Sequence, residues 1–232
     1  MIMAFIDFDF KKCFYNVNNR NVHIISVYAD NIDPQVAEYQ HKVFNHFSIE
    51  HKQVMTSDYA NYLSVHNDSI DSYIEQHINS DMEYLIIMDI DAIPLNADII
   101  PALLGNVYNH NCLAGIAQQS NHINNDHVYV GPCGMALSIP LFQKLGSPTA
   151  ASNNRGDTFE ELTWLAEELD VDIAIIWPTH VVDPIWKLGT DKVFGLGTTY
   201  GDSIYHVFNI HSRPECVRMF VDKCKEVIGE QD

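Results

Sequence analysis

The sequence predicts an α/β fold: a single Rossmann-like domain with a mainly parallel central sheet and helices on both faces. Three observations carry that prediction. Apolar runs of strand length, such as VHIISVYA (22–29) and YLIIM (84–88), alternate with segments whose apolar residues recur at helical spacing. The runs show little polar alternation, as expected of strands buried on both faces. Hydrophobic residues make up 47% of the 232-residue chain, ample for one core, and no low-complexity linker divides it.

After an irregular start, 22–29 is the first strong strand. Asp33 and Pro34 then open a helix, as N-cap and first helical residue, with Val36, Tyr39, Val43 and Phe47 on one face. A short strand covers 49–55. Asn67 or Asp68 starts a second helix, whose buried face is Ile70, Tyr73, Ile74 and Ile78. The strand at 84–88 follows, then a helix over about 97–108 and a strand at 112–117. The second half changes rhythm. It predicts a strand within 127–140 that contains Gly131 and Gly134, then a short helix at 140–145 ended by Gly146. A polar loop (147–157) leads into an amphipathic helix (158–169) with Phe159, Leu162, Leu165, Ala166 and Leu169 on one face. A buried strand at 172–178, a flexible Gly-rich stretch at 195–202, a strand-like 203–211 and a closing helix at 214–227 complete the chain.

Composition narrows the partners. With 31 acidic and 13 basic side chains the formal charge is −18. Such a chain has no basic footprint for nucleic acid or for an anionic membrane surface. The five cysteines (13, 112, 133, 216 and 224) form no CxxC pair and are odd in number, which points to a reducing compartment. No signal peptide or membrane-spanning run is apparent, so the expected location is cytoplasmic.

The most informative segment is YLIIMDIDAIPL (84–95). A buried apolar run delivers Asp89 and Asp91, separated by one apolar residue and so on the same face if the chain is extended. Two adjacent acids at a buried strand end repel unless a cation sits between them, and a divalent metal holding a phosphorylated ligand is the usual solution. The competing reading is turn chemistry or a helix N-cap. Pro94 stops the segment from continuing as a central strand.

An α/β first half, the Asp-x-Asp of IIMDIDAIPL, a Gly-containing middle strand, an acid-bearing helix and a late histidine resemble the nucleotide-sugar glycosyltransferases of the GT-A fold. The resemblance implies a metal-dependent glycosyltransferase, hexosyltransferase-like, using Mn2+ or Mg2+ and a UDP- or GDP-linked sugar, with a saccharide acceptor on a glycan or glycolipid. It implies a nucleotide-sugar and metal-binding half at about 22–120. The acceptor-binding half would be about 121–232. Asp91 would be the direct metal ligand and Asp89 its companion toward the ribose or a metal-bound water. Tyr28, Ala29 and Asp30 would frame the nucleotide base. A C-terminal histidine would complete the metal shell. His206 and His211 are both candidates, and five residues apart they would face opposite sides of one strand. His206 is favoured because HVFN is similar to the family's His-Phe pattern, although the Gly and Lys-Pro-Trp of one subfamily are absent.

Inverting transfer also needs a carboxylate base, for which Asp157, Glu160 and Glu161 are candidates. Asp157 and Glu160 could equally form a capping box. Lys192 and Arg155 are candidate phosphate or acceptor contacts, or ordinary surface charges. The Gly-rich 195–201 stretch could close over the donor. His110, His122 and His127 flank QQSNHINNDH, which reads as an exposed loop. One rival is a haloacid-dehalogenase-like phosphatase, although Ile93 and Lys11 stand where its motif expects Thr or Val. Another is a non-catalytic nucleotide- or carbohydrate-binding protein of the same fold. Nucleotidyl transfer is a third, against which YADNIDPQ lacks a Gly-rich phosphate loop.

Overall fold

The computed structural model describes residues 5–10, 21–56, 62–79, 82–120, 123 and 125–230; Cys13 and His122 lie outside them. Seven strands form the main sheet. In chain order they are β1 (Phe5–Asp7), β2 (Val22–Ala29), β3 (Lys52–Thr56), β4 (Tyr84–Ile87), β6 (Leu113–Gln119), β7 (Val128–Ser138) and β8 (Ile173–Ile176). Their spatial order is β1-β8-β6-β7-β4-β2-β3. Strand β7 runs antiparallel to both neighbours, and the other pairings are parallel. The α/β architecture with a mainly parallel sheet is therefore as predicted.

The path β2–β3–β4 decides where a ligand can bind. Helix α1 (Pro34–His46) carries the chain outward from β2 to the edge strand β3. Helix α2 (Tyr62–His77) then returns it to β4, on the other side of β2. Right-handed crossovers in opposite directions put α1 and α2 on opposite faces. They also open a crevice between the carboxyl ends of β2 and β4, the place where ligands bind in open α/β sheets. The N-cap of α1 is the expected one: Asp33 Oδ1 accepts from the Gln35 N–H at 2.9 Å. Helix α2 starts five residues before Asn67, because no Gly or Pro stands there to stop it.

A second, antiparallel sheet packs beyond the crevice, in the order β5 (Ala92–Pro94), β11 (Ile204–His206), β10 (Lys192–Tyr200), β9 (Pro178–Leu188). It corrects two expectations. The Gly-rich 195–201 stretch is no flexible loop. All but its last residue belong to β10, paired with β9 and β11 and largely buried. Gly197, at φ +67°, supplies a left-handed kink that brings α6 (Pro214–Ile228) close, since a Cβ there would stand 2.9 Å from Met219 Sδ. The segment 203–211 is strand only over its first part and then turns, so His211 is not on a strand. Strand β9 escaped the sequence reading because Pro178 and Pro184 look like breakers; on an exposed edge proline is tolerated. The three-residue β1 is too short for any periodic signal and exists by pairing with β8. Helices α3 (Ile99–His110), α4 (Ile139–Lys144) and α5 (Glu160–Glu168) complete the fold, and no described helix is long and apolar enough to cross a membrane.

Candidate functional site

The segment after β4 links the two sheets. The Ala92 N–H donates to Asp89 O at 2.9 Å, so Asp89–Ala92 is a tight turn that feeds β5. Asp89 and Asp91 therefore do not share the face of an extended strand as predicted. The turn instead brings both to one cavity at the β2–β4 crevice. Below it lies a buried polar network that the apolar periodicity of α1 hid. Gln40, fully buried, donates from Nε2 to Asp89 O at 2.8 Å and to Ala92 O at 2.9 Å. Its Oε1 accepts from Gln53 Nε2 at 3.0 Å, and the Ser26 hydroxyl donates to Met88 O at 2.5 Å. The available signal was a glutamine on the stripe of Val36, Val43 and Phe44.

The second sheet supplies the facing wall. His206 pairs with Ala92 across β11 and β5, and its Nε2 stands 3.1 Å from Asp91 Oδ1. Asp91 and His206 are 7% and 2% exposed, and Asp89 is half-buried. The His206 Nδ1 atom is buried without a hydrogen-bond partner among the described residues. The cavity, about 160 Å³, is also lined by Val27, Ile32, Gln118, Tyr129, Asp157 and the exposed His211 at its rim. Its described lining contains three aspartates and no lysine or arginine. Burial pushes the Asp89 carboxyl above its ordinary value; His206 opposes the shift and the Asp91 charge reinforces it. An adjoining cleft of about 620 Å³ shares Ile210 and His211 and runs past Asn31 to Arg213 and Arg218 on the α6 side.

The other candidates fall elsewhere. Tyr28 is half-buried, Ala29 buried and Asp30 exposed, with the Asp30 N–H bonded to Thr56 O at 3.1 Å; Val27 and Ile32, flanking them, line the cavity instead. Lys192 opens β10 with its Nζ 5.6 Å from the centre of the Trp177 ring, outside the cavity lining. Asp157 lines the cavity, accepting from Ser120 Oγ at 3.1 Å and from the Thr158 N–H at 2.8 Å. Glu160 is fully buried and turned away from it. Its oxygens accept from the Asp157 N–H (2.7 Å) and from Asn125 Nδ2 (3.1 Å), and meet His127 Nδ1 at 2.8 Å. The expected capping box does not form, because the N-cap of α5 is Phe159, which makes no side-chain cap bond. Glu161 pairs with Arg155, whose guanidinium holds its carboxyl below the usual range. Arg155 is thereby engaged with Glu161 and, at 2.8 Å, with Glu168.

His127 is a correction. It was expected in an exposed loop but is 4% exposed, stacked on Trp164 with ring centroids 3.6 Å apart and held between Glu160 and Glu167. Cys133 was counted among the cysteines but not singled out. It lies fully buried on β7 behind the cavity lining, and its thiol donates to Gln118 Oε1 at 3.3 Å. One ligand atom each from Asp89, Cys133 and His206 lie within 4.8 Å of one another, a set able to hold a metal ion.

No family model and no curated protein sequence matches this chain. Among solved structures it is similar to A197 from STIV, at 10% identity and a TM-score of 0.40, covering 74% of this chain and 96% of that one. The catalytic domain of Drosophila β1,4-galactosyltransferase 7, in complex with xylobiose, matches at 13% identity and a TM-score of 0.43, covering 83% and 74%. A putative glucose-1-phosphate thymidylyltransferase from Bacillus anthracis matches at 9% identity and a TM-score of 0.38, covering 67% and 86%. Scores this low assign no activity, and the functional reading rests on the site.

Proposed function

We propose that the protein is a metal-dependent glycosyltransferase that moves a hexosyl-type sugar from a UDP- or GDP-linked donor to a saccharide acceptor. One observation carries the reading: Asp89, Asp91 and His206 converge at the carboxyl end of β4 in a cavity without a lysine or arginine in its described lining. The lining sets three aspartates against His66, His206 and His211, so a diphosphate is held there best through a cation that offsets the carboxylates. The donor set fits one, with the Asp89 carboxylate, the Cys133 thiol and the His206 imidazole, whose Nδ1 has no partner among the described residues. When bound, that Mn2+ or Mg2+ would neutralise charge developing on the leaving diphosphate.

The chain's own residues do the rest. Gln40 holds both ends of the Asp89–Ala92 turn, so the two carboxylates keep their separation without a ligand. Asp157 is the base we assign, because it lines the cavity while Glu160 and Glu161 are engaged elsewhere. The small cavity suits the diphosphate and the reacting centre. The larger cleft, beginning one residue beyond Asp30, suits the nucleoside. Under this reading 22–120 carries the Asp89–Asp91 side of the donor site, and 121–232 holds the acceptor together with the C-terminal segment that brings His206 and the far wall of the cleft, in a cytoplasmic setting where a buried thiol such as Cys133 stays reduced.

A thermal-shift series of nucleoside diphosphates and their sugars, with and without manganese, magnesium, zinc or cobalt, tests the proposal on the wild type and Asp91→Ala. Ligands that bind only the native state raise Tm. Metal-dependent stabilisation by one nucleotide, weakened in Asp91→Ala, is expected. No shift with any nucleotide in a folded sample would overturn the donor site.

A further inference from the structure

We propose that Cys133 is a protein ligand of the bound cation, completing an Asp89–Cys133–His206 triangle that selects a thiophilic ion, Zn2+ or Co2+, over Mn2+ and Mg2+. The proposal rests on the metal-site reading above and changes its chemistry. Three independent strands reach one point. Asp89 comes from the turn after β4, Cys133 from β7 and His206 from β11, and their ligand atoms lie within 4.8 Å of one another. Ligand atoms around one tetrahedral ion stand about 3.3–3.8 Å apart, so side-chain adjustments of about an ångström close the triangle.

The surroundings fit a metal better than a packed core. The His206 Nε2 is taken by Asp91, which leaves the buried, unpartnered Nδ1 as the nitrogen free to coordinate. A carboxylate on the distal nitrogen is the usual way to fix the tautomer and orientation of a metal-bound imidazole. Asp91 then positions His206, and Asp89 is the direct carboxylate ligand, the reverse of the roles the family resemblance implies. Gln118 contacts the sulfur because Gly131 leaves room for it; a Cβ at Gly131 would stand 2.1 Å from Gln118 Oε1. On coordination the thiol proton leaves to solvent and a sulfur–metal bond forms. The open side of the triangle is the cavity, where a phosphate oxygen of the donor can reach the ion. A thiolate with one imidazole and one carboxylate is a mixed set that zinc and cobalt favour, whereas Mn2+ and Mg2+ prefer oxygen.

Anaerobic Co2+ titration of the full chain, followed by absorption, tests this. The wild type should show a near-ultraviolet sulfur-to-cobalt charge-transfer band and the strong visible bands of a four-coordinate ion. Zn2+ should abolish both at one equivalent, and excess Mn2+ or Mg2+ should not. Cys133→Ser should lose the charge-transfer band and weaken Co2+ binding beyond the roughly 10- to 100-fold cost of losing an outer-sphere partner. Asp91→Asn should fall within that range and keep the band. Zinc X-ray absorption on the wild type needs no variant, and one sulfur at about 2.3 Å is expected. Co2+ binding with no sulfur in either spectrum would overturn the role of Cys133 and leave the metal site standing. A folded protein that binds neither Co2+, Zn2+ nor Mn2+ would overturn both.

Discussion

Two acidic clusters among the described residues are built in opposite ways. In and around α5, Glu161 and Glu168 share Arg155, while Glu160 and Glu167 share His127. At the β2–β4 crevice, Asp89, Asp91 and Asp157 surround a cavity with no lysine or arginine in its described lining. The charge states respond accordingly. Arg155 draws the Glu161 carboxyl down, whereas burial, reinforced by Asp91, pushes the Asp89 carboxyl up. The first cluster is closed by Arg155 and by the hydrogen bonds of His127. In the second, Asp91 meets His206 while Asp89 has no lysine or arginine beside it in the described lining, and under the proposed reading a cation would answer that charge.

The contrast makes four quantitative claims. Glu160→Ala should be the most damaging, since it takes the buried partner from His127 Nδ1, which keeps only Glu167 on its other nitrogen, and from the Asp157 N–H and Asn125 Nδ2; each buried group left unsatisfied costs about 1–3 kcal/mol, read by urea unfolding. Gln40→Leu should cost about 2–3 kcal/mol, because it leaves the Asp89 and Ala92 carbonyls without their buried donor. The same variant should weaken metal binding, read by Co2+ titration, because the turn beneath Asp89 loses its support.

Asp89→Asn should do the reverse and raise the Tm of the metal-free protein at pH 7. A carboxyl whose folded pKa is raised adds stability at low pH and loses it as pH rises through that value. The advantage of the variant should therefore vanish below about pH 4, the ordinary carboxylate range. Thermal melts across pH measure this, and a saturating metal ion should stabilise the wild type far more than the variant. Arg155→Ala should have the smallest effect, within about 1 kcal/mol, because its ion pairs are largely exposed.

Much of the fold was legible because it is local. The limits of β2, the Asp33 cap and part of the apolar faces of α1 and α5 follow from residues a few positions apart, where period and capping chemistry act directly; Tyr39 and Phe47 are only half-buried and Leu169 is exposed, while Gln40 and Phe44 take the buried side of α1. The second sheet was not legible. Strand β9 is exposed and proline-containing, and β10 is glycine-rich. Each is a strand because its partners satisfy its backbone, which no local propensity records.

The site divides the same way. That Asp89 and Asp91 follow a buried strand, in a chain of formal charge −18, is written in the residues themselves. Which other side chains join them was settled by topology. His206 meets Asp91 across 115 positions, Asp157 meets Ser120 across 37, and Gln40 reaches Asp89 O across 49. Charge, hydrophobicity and turn preference belong to single residues and survive in a sequence. Proximity between distant residues is created when the sheets assemble, and at this site that assembly decides which side chains face the Asp89–Asp91 turn.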